Sequence, residues 1–359
     1  MTNILTASTV RNILISLLAV LLAFVTAALL LTAAGQNALL SFAGMASTAL
    51  GSTFAVGMTL TKAVPRLLPA LGIALALRAG LWNIGAEGQI YLGAAAAAAV
   101  ALFGPQVPFP LGTALALVAA MIAGAAWAAI PGALRAYRGI NEIITTLMMV
   151  YIAVQLTNYL VEGPWLVPNS TWPATALIPL SIKLPIIWPG TLVNAGAILA
   201  LLGVLILALV VGRTTFGLWL RAIGGNDRAS EVIGLPIRPL IVAALAASGA
   251  FAGVAGGIEV LGVRGRLLEG FSPGYGFEAI AIALLGRLNP LGVTAASLLF
   301  GALDAGAAGL QVASVGISSA IAPVIEALAV GYLLAGLGLA EIISRRQEAR
   351  SALHTATRS

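Results

Sequence analysis

Ala79-Gly-Leu-Trp-Asn-Ile-Gly-Ala-Glu-Gly-Gln-Ile-Tyr-Leu-Gly-Ala94 places Asn83, Glu87 and Gln89, interleaved with Gly85 and Gly88, at the mouth of a 47-residue stretch without a charged side chain (Gly88 to Leu134). A hydrocarbon interior penalises ionisable groups, so a carboxylate at the entrance to a membrane helix needs a partner or a water-filled route. Glycines beside it let helices approach closely, or let the backbone break where it lines a cavity. Such a stretch is what a pathway through a membrane is expected to look like.

The rest of the chain agrees with that reading. Apolar residues make up 60% of the 359, charged residues only 8%, and the mean hydropathy is +1.05. Soluble domains carry about 25% charged residues. The 41 glycines fit membrane helices, which tolerate glycine better than soluble ones. A transmembrane β-barrel would alternate over segments of about 10 residues, whereas these runs are longer and apolar all round. The expected fold class is an all-α polytopic membrane protein. Without cysteine there are no disulfides or thiolate metal sites, and the lone histidine, His354, sits in a polar tail. Haem, a histidine metal site and a histidine proton relay inside the membrane are therefore disfavoured.

Stretches of spanning length recur at 12–33, 56–77, 86–103, 111–131, 142–161, 191–211, 239–260, 276–287, 291–311 and 319–340. The first run is kept as a span, because the short apolar region of a cleavable signal is missing. Gly104-Pro105 to Pro110, Pro131-Gly132 and Asn289-Pro290 punctuate the boundaries. The second and eighth stretches are the weakest. Lys62 and Arg66 interrupt one, and the other is about a dozen residues long. Short or interrupted segments in corresponding places often mark broken helices around a path.

About ten crossings put both termini on one side. With the N-terminus inside, cytoplasmic segments hold thirteen arginines, among them Arg78, Arg135, Arg221, Arg228 and Arg287. External segments hold Lys62, Arg66, Lys183, Arg264 and Arg266. The imbalance satisfies the positive-inside bias and accounts for the net charge of +6 without a nucleic-acid partner. The long external loop, 162–190, carries Trp165, Trp172 and Trp188 with six prolines, so it is either anchored at the headgroups or a docking surface. Residues 1–342 form the membrane domain and 343–359 a cytoplasmic polar tail.

The cytoplasmic loop 212–238 contains the makings of a short helix. Asn226 is a good N-cap, Asp227 suits the first turn, Gly234 suits the left-handed position beyond the end, and Pro236 prevents continuation. Ala229, Val232 and Ile233 share one face. Spacing alone leaves two readings open: a helix that docks in a partner, or a solvated loop whose arginines fix topology.

Four segments together resemble one family: Gly80–Gln89, Arg135–Thr146, Arg221–Gly234 and Ser272–Pro290. The family is that of the inner-membrane permeases of bacterial ATP-binding-cassette (ABC) importers, of the ribose and branched-chain amino-acid type, and the similarity is greatest to the nucleoside subgroup. The resemblance covers about residues 12–342 and is less specific for substrate than for family. It implies cytoplasmic ABC ATPase subunits, a second and different permease forming a heterodimer, and a lipid-anchored or periplasmic binding protein. It also implies that Arg221, Gly225, Asn226, Asp227, Arg228, Ala229 and Gly234 belong to a coupling helix seated in the ATPase. The chain has no Walker motif, so ATP and its magnesium are expected on the partner, with no cofactor and no catalysis here. A nucleoside would pass by alternating access, ribose or another simple sugar being the alternative cargo. An ion-coupled secondary transporter is the rival outside the family.

The candidate path residues are Asn83, Glu87, Gln89, Glu278, Asn289 and Asp304. Alternatives stay open for several. Asp304 is explained equally by pairing with Arg287 or a polar group of another span, and Glu87 by pairing with Arg78. Tyr91 and Tyr275 suit either stacking on a base or ordinary packing.

Overall fold

The structure, a computed structural model, describes residues 2–105, 107–168, 172–313 and 323–336. The polar tail 343–359 and the ends of the expected tenth span lie outside these. The helices are α1 (Thr2–Ala33), α2 (Ala38–Leu50), α3 (Thr53–Leu77), α4 (Ala86–Phe103), α5 (Leu111–Arg138), α6 (Glu142–Glu162) and α7 (Gly196–Arg213). Then come α8 (Thr215–Gly225), α9 (Asp227–Val232), α10 (Ile237–Ile258), α11 (Tyr275–Leu285), α12 (Pro290–Ala313) and α13 (Pro323–Gly336). A π-helical turn, Glu259–Arg264, prolongs α10. Among the described residues, eight helices are long and apolar enough to cross a membrane, so the protein is an all-α multi-pass membrane protein.

Several sequence expectations change. The second stretch is not interrupted: α3 runs unbroken for 25 residues through Pro65 and Pro69, and most of it is buried. Lys62 and Arg66 therefore belong to a helix interior and not to an external segment. The eighth is a half-helix, since the 11 residues of α11 rise about 16 Å against a hydrocarbon core of about 30 Å. The 13-residue α2 was not foreseen, being too short for a span. The short helix expected between Asn226 and Gly234 is α9, and a second helix, α8, precedes it.

The chain forms two compact units. One comprises residues 1–48 and 306–359. Within it Phe24 meets Phe42 edge-on at 5.5 Å, and Thr26 Oγ1 lies 2.7 Å from the Tyr332 hydroxyl. The other, residues 49–305, is built around α10, which packs against α3, α4 and α5. Small residues make that possible. A Cβ on Gly253 would come within 2.2 Å of the Ala120 carbonyl oxygen, and one on Gly256 within 2.0 Å of that of Ile90. Backbones in such contact gain dispersion that larger side chains would forbid.

Local chemistry sets the helix ends that position the site. Ser52 caps α3, its hydroxyl accepting from Ala55 N at 3.1 Å. Gly139, left-handed with φ 68°, ends α5, and Asn141 Oδ1 accepts from Ile143 N at 2.8 Å to start α6. The long loop between α6 and α7 is fastened through its main chain to the π turn and the segment after it. Thr175 N donates to Leu267 O, Ile178 N to Gly265 O and Leu184 N to Leu261 O, at 3.0, 2.8 and 3.1 Å. Trp165 packs on Phe103, ring centroids 5.4 Å apart.

Candidate functional site

Three polar groupings lie within residues 49–305. The first is an ion-pair cluster inside the helix bundle. Lys62 and Arg66, four residues apart on α3, share one helix face. Arg66 Nε donates to Glu278 Oε2 of α11, and its Nη2 to Asp304 Oδ2 of α12 at 2.9 Å. Lys62 Nζ reaches the same Asp304 oxygen at 3.0 Å. Two cations and two carboxylates sum to zero, which a low-dielectric setting demands. The guanidinium also lies 4.8 Å from the Tyr275 ring centroid, within cation–π range. The Arg66 side chain is 3% exposed, but Lys62 and Asp304 are each 31% exposed and Glu278 23%. The cluster is buried at its hub and open at its rim.

Next to it, the π turn folds Arg264 back so that its Nε donates to Glu259 Oε1 at 2.9 Å. Widened turns of this kind recur at functional positions. Phe271 lies 5.9 Å from the Arg264 guanidinium and 4.7 Å, centroid to centroid, from Tyr91. Glu87 does not pair with Arg78. Its Oε2 accepts from Gly276 N at 2.6 Å, so it caps the α11 N-terminus from another helix, where the helix dipole favours an anion. Ser272 Oγ caps the same end from within the chain, accepting from Tyr275 N at 3.3 Å.

The second grouping is neutral. Asn83 Nδ2 donates to Gln89 Oε1, and Gln89 Nε2 donates back to Asn83 Oδ1, both at 2.9 Å. Asn83 also donates to Ser248 Oγ at 2.9 Å and accepts from Gly85 N at 3.1 Å. Both amides are 1% exposed. The pair ties the α3–α4 connection to α10.

The third grouping lies at the C-terminal end of α3. Asn226 Oδ1 accepts from Ala229 N at 3.0 Å, making it the N-cap of α9, and Gly234 is left-handed with φ 83°. Arg221 on α8 donates through Nη1 to Val211 O, and Gly225 is the last residue of α8. Asp227, Arg228 and Ala229 form the first turn of α9, while Val232 and Ile233 stand exposed. A cavity of about 250 Å³ is lined by Ala79–Leu81, Arg135, the α8–α9 junction and the start of α10. Asn289 stands apart from the other path candidates: its Oδ1 accepts from Leu291 N at 3.0 Å and caps α12.

The structure thus joins Glu278 to Asp304 and Asn83 to Gln89, with Glu87 touching only the α11 end. Asp304 pairs with α3 and not with Arg287. Sequence reasoning missed Lys62, Arg66, Glu259, Arg264 and Phe271. The available signal was two basic residues at i, i+4 inside an apolar run, the spacing of a helix face and not of a loop.

Comparison with known proteins places the chain. The family described as branched-chain amino acid transport system / permease component matches residues 55–339. The glucose ABC transporter permease TsgB13 of Haloferax volcanii is 37% identical over 79% of this chain and 77% of its own. The guanosine ABC transporter permease NupP of Bacillus subtilis is 33% identical over 93% and 96% respectively. The nucleoside ABC transporter permease NupB of Lactococcus lactis is 32% identical over 84% and 85%. No solved structure matches. Permeases of this kind work with an ATPase and a substrate-binding protein and are transport components, not enzymes. The multi-pass helical bundle and these relatives lead to one assignment: the chain belongs to the branched-chain amino-acid-type family of ABC transport permeases.

Proposed function

We propose that this chain is one permease subunit of an importer that carries nucleosides across a bacterial cytoplasmic membrane, driven by ATP hydrolysis in a partner. The observation that carries the reading is the near end-to-end match to the guanosine permease, 93% of this chain against 96% of the relative. The chemistry of residues 49–305 supports it. A net-neutral ion-pair cluster beside Tyr91, Phe271 and Tyr275 suits an uncharged solute that has both hydroxyls and an aromatic ring. Membrane helices that present Lys62, Glu278 and Asp304 part-exposed need water or another chain on that face, because lipid would leave these charges unsolvated. A second, different permease covering that face would enclose the path between the two. Glu278 and Asp304 are then the best-placed path residues, and Glu87 sets the half-helix that carries Glu278. The α8–α9 arm, with Val232 and Ile233 exposed, is the element that docks in the ATPase.

The test is uptake by the complete transporter in proteoliposomes, loaded with ATP and supplied with its binding protein. Tritiated guanosine should enter and unlabelled glucose should not compete. A glucose-type sugar is the second reading, favoured by the 37% identity to the haloarchaeal glucose permease. Reversal of that preference would establish it. Accumulation by the chain alone, driven by an ion gradient, would remove the ABC mechanism altogether.

A further inference from the structure

We propose that Arg78 is a positioning residue that transmits movement of the α8–α9 arm to the turn between α11 and α12. The inference rests on the reading that this arm is seated in the ATPase.

Arg78 is the residue that closes α3, twelve positions or about 18 Å of helix beyond Arg66. Its Nη2 donates to Leu288 O at 2.6 Å. A single stiff helix therefore grips the α11–α12 hairpin twice, at Glu278 through Arg66 and at Leu288 through Arg78. The second grip falls on an unusual piece of backbone. Arg287 and Leu288 are both left-handed, with φ 53° and 57°, and neither is glycine. Residues other than glycine rarely adopt that conformation, which persists only where its surroundings hold it. A charge-assisted bond to the Leu288 carbonyl is one such hold.

The arm touches the other side of the same residue. Gly224, near the end of α8, lies against the Arg78 carbonyl so closely that a Cβ there would be 2.1 Å from the oxygen. Gly80, left-handed with φ 72°, completes the contact, a Cβ on it falling 3.7 Å from the Gly224 Cα. Main chain meets main chain, with no side chain between to absorb a displacement. Arg221 adds a like charge to Arg78 from the arm side, so an inward push on α8 is opposed electrostatically. The cavity of about 250 Å³ beside the contact leaves the arm room to travel. Among the described residues Arg78 Nε has no hydrogen-bond partner, a spare donor for re-pairing when the turn shifts.

The experiment uses the complete reconstituted transporter with tritiated guanosine as the probe. Arg78→Met keeps the apolar stem and removes the donor. It should lower guanosine moved per ATP hydrolysed by about tenfold, equivalent to about 1.4 kcal/mol and on the scale of one hydrogen bond from a charged group. Co-purification of the ATPase should be unchanged, and Arg78→Lys should restore most of the ratio. Gly224→Ala, which forces the arm away from the Arg78 carbonyl, should lower the ratio in the same way. A merely structural defect would reduce the yield of complex and leave the ratio per assembled complex intact.

Because the chain lacks cysteine, nitroxide pairs can be placed cleanly on exposed Val232 and on exposed Leu291, each referred to exposed Tyr137. ATP should shift both distances in the native sequence and only the Val232 pair in Arg78→Met. A normal transport ratio in assembled Arg78→Met or Gly224→Ala, or a Leu291 shift that survives Arg78→Met, overturns the relay while leaving the docked arm standing. An arm that stays still with ATP in the native sequence overturns both.

Discussion

The Asn83–Gln89 pair and the Arg66 cluster are both polar, and both lie among membrane helices, yet they solve burial in opposite ways. The amides spend their hydrogen bonds on each other, on Ser248 and on a backbone amide, and nothing of them reaches the surface. The cluster buries one guanidinium and leaves two carboxylates and an ammonium group partly open. A closed network adds rigidity and has no capacity left for a solute. One with an open rim retains acceptor oxygens and needs water or a neighbouring chain beside it. The difference separates where this permease holds itself together from where something else comes against it.

Substitutions can break that contrast, beginning with the largest effect. Arg66→Met strands Glu278 and leaves Asp304 with Lys62 alone, so a loss of about 3–5 kcal/mol is expected in thermal unfolding in detergent, with no uptake. Replacing all four members at once (Lys62→Met, Arg66→Met, Glu278→Gln, Asp304→Asn) should recover much of the stability but none of the uptake; recovered uptake would make the cluster a structural latch only. Asn83→Leu leaves the Gln89 amide and Ser248 hydroxyl short of partners and should cost about 1–3 kcal/mol. Uptake per folded molecule should hold; a fall there would carry the path as far as the amide pair. Glu87→Gln keeps an acceptor for Gly276 N but removes the charge at the α11 N-terminus. About 1 kcal/mol of stability should go, together with part of the uptake rate; full uptake with the stability loss would confine Glu87 to capping. Lys62→Met is the mildest, since Arg66 still holds Asp304. Stability should change by less than about 1 kcal/mol, while half-saturation for guanosine rises; an unchanged half-saturation would take Lys62 out of the path.

Much of the architecture was readable because spanning length and the absence of charge are local properties. The runs that became α4, α5, α6 and α7 declare themselves one window at a time. Asn226, Asp227 and Gly234 were readable for the same reason, as helix-end chemistry lies within a few residues of itself. The cluster was not. Arg66 meets partners 212 and 238 positions later in the chain, and no window links them. Within any one window Lys62 and Arg66 look like an interruption of an apolar run; Glu278 and Asp304 balance their charge beside an unbroken α3. The π turn has no local sequence signature either; in it Arg264 meets Glu259 five residues before. Opposite charge alone offers a Glu87–Arg78 pair as one reading of Glu87. Each instead bonds a backbone group of the α11 region, a donor in one case and an acceptor in the other.

The long α6–α7 loop, finally, is fastened to the π turn and the segment after it by amide and carbonyl groups, which every residue but proline supplies alike. Its outward-facing letters, Leu177, Leu180 and Ile186 among them, take no part in that fastening. Substituting them leaves those main-chain bonds in place, so the face of this loop can change its sequence without loosening its attachment.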